Sequence, residues 1–144
     1  MSISLSKKSS LIAQSEIRAM TLECARVGGI NLAQGVCDTE LPQTGHFLLK
    51  TLRELSLPCS TLTKVGLTPS IPQGAYYVLA DVSRLPGSTS KDKAMYILEK
   101  TGVASVPDEA FSHKPGSSQF VRFCFAKEDN ELDEACRRLE ALGS

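Results

Sequence analysis

The stretch Gly66-Leu67-Thr68-Pro69-Ser70-Ile71-Pro72-Gln73-Gly74-Ala75-Tyr76-Tyr77-Val78-Leu79-Ala80-Asp81-Val82 decides how the rest of the chain is to be read. Pro69 and Pro72 push the residues before them out of the helical region, so Leu67 to Ile71 must be extended. Pro72-Gln73-Gly74 supplies turn chemistry. Ala75 to Val82 is rich in the aromatic and β-branched residues that suit a pleated surface. A β-hairpin follows, closed at its far end by Leu85-Pro86-Gly87.

Working outward toward the C-terminus, Ser90 is expected to cap a helix reaching Lys100, with Ala94, Ile97 and Leu98 inward and Gly102 as its stop. Val103 to Val106 reads as one short strand ending at Pro107. A Gly/Ser/Pro/Lys loop around Lys114 to Ser118 leads to Phe120–Ala126, the clearest strand in the chain. There Val121, Phe123 and Phe125 alternate with Phe120, Arg122 and Cys124. Asn130 is expected to cap a last helix whose buried stripe is Leu132, Ala135, Cys136, Leu139 and Leu142.

Working outward the other way, Phe47 to Leu55 has a helical stripe of Phe47, Leu48, Leu52 and Leu55, and Pro58 is expected to stop it. Ser56 to Val65 shows no clear period. Residues 15–27 form an amphipathic helix with Ser15 as N-cap, Ile17, Met20, Cys24 and Val27 on one face, and Gly28-Gly29 as the stop. Ile30 to Gly35 is a short extended piece. Helices and a hairpin in this order predict an α+β two-layer sandwich.

Composition narrows the function. Sixteen basic residues balance sixteen acidic ones, which argues against nucleic acid and against an anionic membrane as partner. No apolar run approaches the roughly 20 residues of a membrane span, and no secretory apolar core follows Lys7 and Lys8. A soluble, cytoplasmic protein is expected. The five cysteines, Cys24, Cys37, Cys59, Cys124 and Cys136, are widely spaced, and His46 and His113 are isolated; reduced thiols are expected and a metal site is not.

Five segments in order then carry a family resemblance. The Gly66–Asp81 run resembles the "G-x-x-P-x-x-P-x-G-x-Y/F" opening of the C-terminal small domain of pyridoxal-phosphate-dependent class I/II aminotransferases. Val103-Ala104-Ser105-Val106-Pro107, followed by Ala110-Phe111, is similar to their "G-V-x-x-x-P-G-x-x-F" segment. Phe120-Val121-Arg122-Phe123-Cys124-Phe125-Ala126-Lys127 resembles the "x-R-F-C-F-x-K" strand of the kynurenine-aminotransferase-like group. Upstream, Ile30-Asn31-Leu32-Ala33-Gln34-Gly35 is similar to "I-N-L-x-x-G-x-P-D", and Gln14 to Ala25 to the helix before it.

The resemblance implies the small C-terminal domain of a fold type I aminotransferase plus the N-terminal helical segment. Residues 1–45 would be the N-terminal arm and helix, and residues 46–144 the small domain. It also implies that Arg122 grips the α-carboxylate of an amino acid or 2-oxo acid, a task suited to a planar, permanently charged fork. Gly35 would be where the backbone approaches that carboxylate, although Cys37 stands where the motif has proline. Tyr76 and Tyr77 are read as core and hairpin-packing aromatics, and Cys124 as a packing residue rather than a nucleophile.

Transamination also needs a Schiff-base lysine, an acid on the pyridinium nitrogen and donors for the phosphate. The family carries these between the "N-L-x-x-G-x-P-D" segment and the helix before the small domain, an interval collapsed here to Asp38–Pro42. Ser4-Leu5-Ser6-Lys7 imitates an "S-x-S-K" motif in the wrong place. Ser56 to Val65 is in turn ten residues more than the family's near-direct join of helix to "G-L-x-P". The expectation is therefore a truncated relative with no catalytic or cofactor-binding residues, not binding pyridoxal phosphate alone. The alternatives are a non-enzymatic interaction module, prone to self-association, or a half-enzyme completed by a large-domain partner.

Overall fold

The computed structural model describes residues 15–35, 56–73, 75–112 and 117–143. Its helices are α1 (Glu16–Arg26), α2 (56–64), α3 (Ser90–Thr101) and α4 (Asp129–Leu139). Its strands are β1 (Ile30–Asn31), β2 (Thr68–Ser70), β3 (Tyr77–Asp81), β4 (Val103–Ala104), β5 (Val106–Pro107) and β6 (Phe120–Cys124). The helix expected over residues 47–55, the Ser4–Lys7 run, Cys37 and turn residue Gly74 lie outside the described residues.

The hairpin forms as its sequence dictates. β2 pairs antiparallel with β3 in the register Thr68 to Asp81 and Ser70 to Leu79. β3 pairs antiparallel with β6, Val78 opposite Phe123 and Leu79 opposite Arg122, and β5 closes the sheet in the order β2-β3-β6-β5. Alternation along β3 and β6 then sorts the side chains. Val78, Ala80, Val121 and Phe123 are buried in one cluster with Ala94, Ile97 and Leu98 of α3 and Leu132, Ala135 and Leu139 of α4. Tyr77, Leu79 and Arg122 occupy the other, more open face. Helices and an antiparallel sheet make the fold α+β.

Several local expectations need correction. Val103 to Val106 is not one strand. β4 pairs parallel with β1, whereas β5 pairs antiparallel with β6, and the chain changes sheets at the fully buried Ser105. Residues 56–64, which showed no period, are helical. The buried face of α2 is Pro58, Thr61 and Leu62, with Val65 continuing it, a true helical spacing hidden because two members are not strongly apolar. Hydroxyls that would disfavour a helix interior are absorbed by it, Ser60 donating to the Leu57 carbonyl and Thr63 to that of Cys59. Pro58 is buried in the first described turn of this helix, which directly adjoins Gly66-Leu67.

The helix caps also move. Ser15 occupies the N-cap position of α1, but its side chain makes no capping bond. Thr89, not Ser90, caps α3: its hydroxyl accepts from the Asp92 amide at 3.0 Å while the Asp92 carboxylate accepts from the Thr89 amide at 3.0 Å. Ser90 is instead buried against Glu109. Glu128, not Asn130, holds the N-cap position of α4; Asn130 lies inside the helix, its side-chain oxygen accepting from the Glu131 amide. Gly102 does stop α3, at φ 70°. Thr89→Ala is expected to cost about 0.5–2 kcal/mol of stability in urea denaturation, and Ser90→Gly should not reproduce this through the cap.

The N-terminal segment is bonded into this body. Ile30 donates to the Gly102 carbonyl and Leu32 to that of Ala104, while the Leu32 carbonyl accepts from Cys124 at 2.7 Å. Met20 and Cys24 bring α1 into the common core. Among the described residues, no helix is long and apolar enough to cross a membrane.

Candidate carboxylate site

β6 delivers Arg122 to the open face of the sheet, opposite Leu79 on one side and Val106 on the other. Tyr77, two residues before Leu79 on β3, lies on the same face by strand alternation. Phe111 arrives from elsewhere: the 3₁₀ turn Asp108–Ala110 ends on it, its amide donating to the Asp108 carbonyl at 2.8 Å. The guanidinium carbon of Arg122 is 4.1 Å from the centroid of the Tyr77 ring and 4.1 Å from that of Phe111. The cation is held between two aromatic faces.

This arrangement has a chemical consequence. Each cation–π contact is worth about 0.5–2 kcal/mol, depending on how dry it is. With both faces of the plane covered, a polar partner can reach the guanidinium only at its edge, where the N–H bonds point. The Arg122 Nε is buried and has no hydrogen-bond partner among the described residues. An unsatisfied buried donor costs about 1–3 kcal/mol, more when charged. A carboxylate matches that fork in geometry and charge.

Arg122 lines a cavity of about 380 Å³, within the roughly 300–1,000 Å³ of small-molecule sites. Ile71, Pro72 and Leu79 make its apolar wall, and Asp108 is its one acidic residue among those described. Burial pushes the Asp108 carboxyl above its usual range, and the neighbouring Glu109 charge adds to this. Burial likewise raises the Tyr77 phenol, with Tyr76 contributing and the Arg122 charge opposing.

Of the residues singled out in sequence, Arg122 is in the cavity and Gly35 beside it. Gly35 does not line the cavity. It sits where an added Cβ would lie 2.7 Å from the Cys124 sulfur, 3.4 Å from the Tyr76 ring and 3.7 Å from the Tyr77 hydroxyl. Gly35 and Arg122 therefore both approach the Tyr77 side chain, Gly35 at its hydroxyl and Arg122 over its ring. Tyr76 and Tyr77 are not core residues: Tyr76 is exposed, and Tyr77 is half-buried on the open face. Cys124 is buried and packs against Gly35. Burial also raises the thiols of Cys24 and Cys136, which keeps them protonated. Among the described residues, no group of His, Cys, Asp and Glu could hold a metal ion.

Three site residues escaped the sequence reading. Tyr77 could have been found from the alternation of β3 once its register with β6 was known. Phe111 was part of a quoted motif without a role, and nothing in the local sequence marks Asp108.

Residues 28–139 match the family "Aminotransferase class I and II". The chain is 35% identical over 95 residues to kynurenine–oxoglutarate transaminase of Dictyostelium discoideum, covering 53% of this chain and 22% of that protein. It is 36% identical over 86 residues to human kynurenine–oxoglutarate transaminase 3, covering 51% and 19%. The chain thus spans about a fifth of the length of these relatives. Among solved structures, N-succinyldiaminopimelate aminotransferase from Mycobacterium tuberculosis aligns with a TM-score of 0.60 at 32% identity, over 67% of this chain and 26% of that one. Bna3p from Saccharomyces cerevisiae aligns with a TM-score of 0.62 over 68% and 27%, at 22% identity, a likeness of fold. A family match that runs from the end of α1 to the end of α4, and includes the stacked arginine, makes this chain a member of the class I and II aminotransferases.

Proposed function

We propose that the described residues are the small-domain, carboxylate-recognising part of an aminotransferase, joined to its N-terminal helical segment in a two-layer α+β arrangement. Arg122 takes the α-carboxylate of an amino acid or 2-oxo acid. Gly35 is the position of close backbone approach, beside Cys124 and the Tyr77 hydroxyl. The observation that carries this reading is the Arg122 guanidinium stacked between Tyr77 and Phe111 with its Nε unsatisfied at a cavity. The reduced thiols favour a cytoplasmic setting.

Pyridoxal phosphate is the family's cofactor, and it does not fit the described residues. Among the described residues, no lysine lines the Arg122 cavity. The amine of buried Lys93 is committed to the Ser118 carbonyl at 3.3 Å, and that of partly buried Lys127 faces Glu131 at 3.6 Å. We therefore assign carboxylate binding, and not transamination, to the described residues. Added pyridoxal phosphate is expected to give no visible absorbance that borohydride bleaches at a single lysine; a stoichiometric signal would overturn that assignment.

Carboxylate binding is tested by titrating a 2-oxo acid into the protein and following amide shifts by NMR. Arg122→Gln is expected to weaken binding about ten- to a hundredfold, the value of a charge-assisted hydrogen-bond pair. Unchanged affinity would remove Arg122 from the site.

One observation favours a second reading, docking of a large-domain partner or of a second copy. Ile71 (76% exposed), Tyr76, Leu79 and Phe111 place apolar area on the open face around the cavity. Light scattering across concentration tests self-association, and a monomer throughout counts against it. Coexpression with a large domain tests the half-enzyme, and no recovered activity counts against that.

A further inference from the structure

We infer that Ser90 and Glu109 are positioning residues of the Arg122 site. Together they latch the turn that carries Phe111 onto the first turn of α3, and so fix one half of the arginine stack. The consequence for binding rests on the carboxylate reading above; the latch itself does not.

The two rings that flank Arg122 are held by different means. Tyr77 is opposite Cys124 in the β3–β6 pairing, so the sheet that places Arg122 also places Tyr77. Phe111 is on no strand and is 48% exposed, so little packing holds its ring over the guanidinium. Pairing of β5 with β6 fixes the chain as far as Pro107. The direction it takes afterwards is set by the turn Asp108–Ala110.

That turn is bonded to α3. The Ser90 amide donates to Glu109 Oε1 at 3.3 Å, and the Glu109 amide donates to the Ser90 hydroxyl at 3.4 Å. Neither bond competes with the helix. Thr89 and Asp92 form the capping box, and the Ser90 amide is one of the first-turn donors that have no intrahelical acceptor. The Glu109 carboxylate supplies one, at the end of the helix dipole that favours negative charge. Ser90 is fully buried, so its hydroxyl cannot exchange this bond for one to water.

Glu109 is two residues from Phe111, and the Phe111 and Ser112 amides both donate to the Asp108 carbonyl, so the turn moves as a unit. One helical turn beyond Ser90, on the same face of α3, Lys93 donates to the Ser118 carbonyl at 3.3 Å, at the entry to β6. One helix face thus holds both the segment leading to Phe111 and the segment leading to Arg122.

The test reads the stack directly, through the Arg122 Nε–H resonance in a nitrogen–proton correlation NMR spectrum, which the ring currents of its flanking aromatics displace. Phe111→Leu marks where that resonance falls with one ring gone. Glu109→Ala is expected to move it to the same place while the β3 and β6 amides keep their shifts. Glu109→Gln keeps a side-chain carbonyl for the Ser90 amide and should restore the position seen in the unaltered protein. Ser90→Ala removes only the hydroxyl and should move the resonance part of the way; it carries the test if Glu109→Ala does not fold. Titration with a 2-oxo acid should show binding about three- to tenfold weaker in Glu109→Ala and near normal in Glu109→Gln. An Arg122 resonance unmoved in both alanine variants overturns the latch, whatever happens to stability. A moved resonance with unchanged affinity overturns the positioning role. If the unaltered protein binds no 2-oxo acid, the carboxylate reading fails, and the resonance still decides the latch.

Discussion

Phe123→Ala is expected to remove about 3–5 kcal/mol of stability. Phe123 is 2% exposed, opposes Val78 in the centre of the sheet, and belongs to the cluster that α3 and α4 cover. Truncating its ring removes apolar burial and leaves a cavity that the flanking β3 and β5 cannot collapse into without losing their own hydrogen bonds. Since small domains have a total stability of about 5–15 kcal/mol, the variant should be largely unfolded under mild denaturant. Urea denaturation followed by circular dichroism measures it. Phe111→Ala provides the contrast: the same residue type, half exposed on the open face, should cost far less stability and act on Arg122 instead. If the two variants lose equal stability, the assignment of the sheet's buried and open faces is wrong.

Gly29→Ala is expected to cost about 1–3 kcal/mol, through a clash that has nowhere to relax. A Cβ at Gly29 would stand 2.5 Å from the Gly102 carbonyl oxygen, the same oxygen that accepts the Ile30 amide. That carbonyl belongs to the left-handed stop of α3, so moving it disturbs both the end of α3 and the β1–β4 pairing. The neighbouring Gly28 separates this effect from simple backbone preference. Its φ is 62° and an added Cβ would meet nothing within 4 Å, so Gly28→Ala should cost only about 1 kcal/mol. Hydrogen exchange of the Ile30 and Leu32 amides reads the difference. Gly29→Ala should expose both to solvent while β3 and β6 stay protected, and equal protection in the two variants would refute the close-approach account.

The two substitutions act on features of different visibility in the sequence. The β2–β3 hairpin follows from Pro69, Pro72 and the aromatic run after them, because proline restricts backbone geometry locally. The alternation of Val121, Phe123 and Phe125 against Arg122 and Cys124 follows from the period of two that any strand imposes. The buried stripes of α3 and α4 follow from helical spacing for the same reason. Each of these depends on residues within a turn or two of one another. The division of residues 103–107 between two sheets was hidden, because it depends on β1 lying beside β4 while β6 lies beside β5. Residues 56–64 hid their helix because the core accepts Pro58 and Thr61 as readily as leucine when their flanks are covered.

For the site, the chain's own order of residues determined that an arginine stands on the open face of the last strand, since alternation in β6 leaves Arg122 nowhere else to point. Only the tertiary structure decided that the 3₁₀ turn after β5 would bring Phe111 onto the second face of that guanidinium and Asp108 into the same cavity. That decision is made by the pairing of β5 with β6 and by burial of the α3 face beneath them. Those contacts are distant in sequence, and no local preference encodes them.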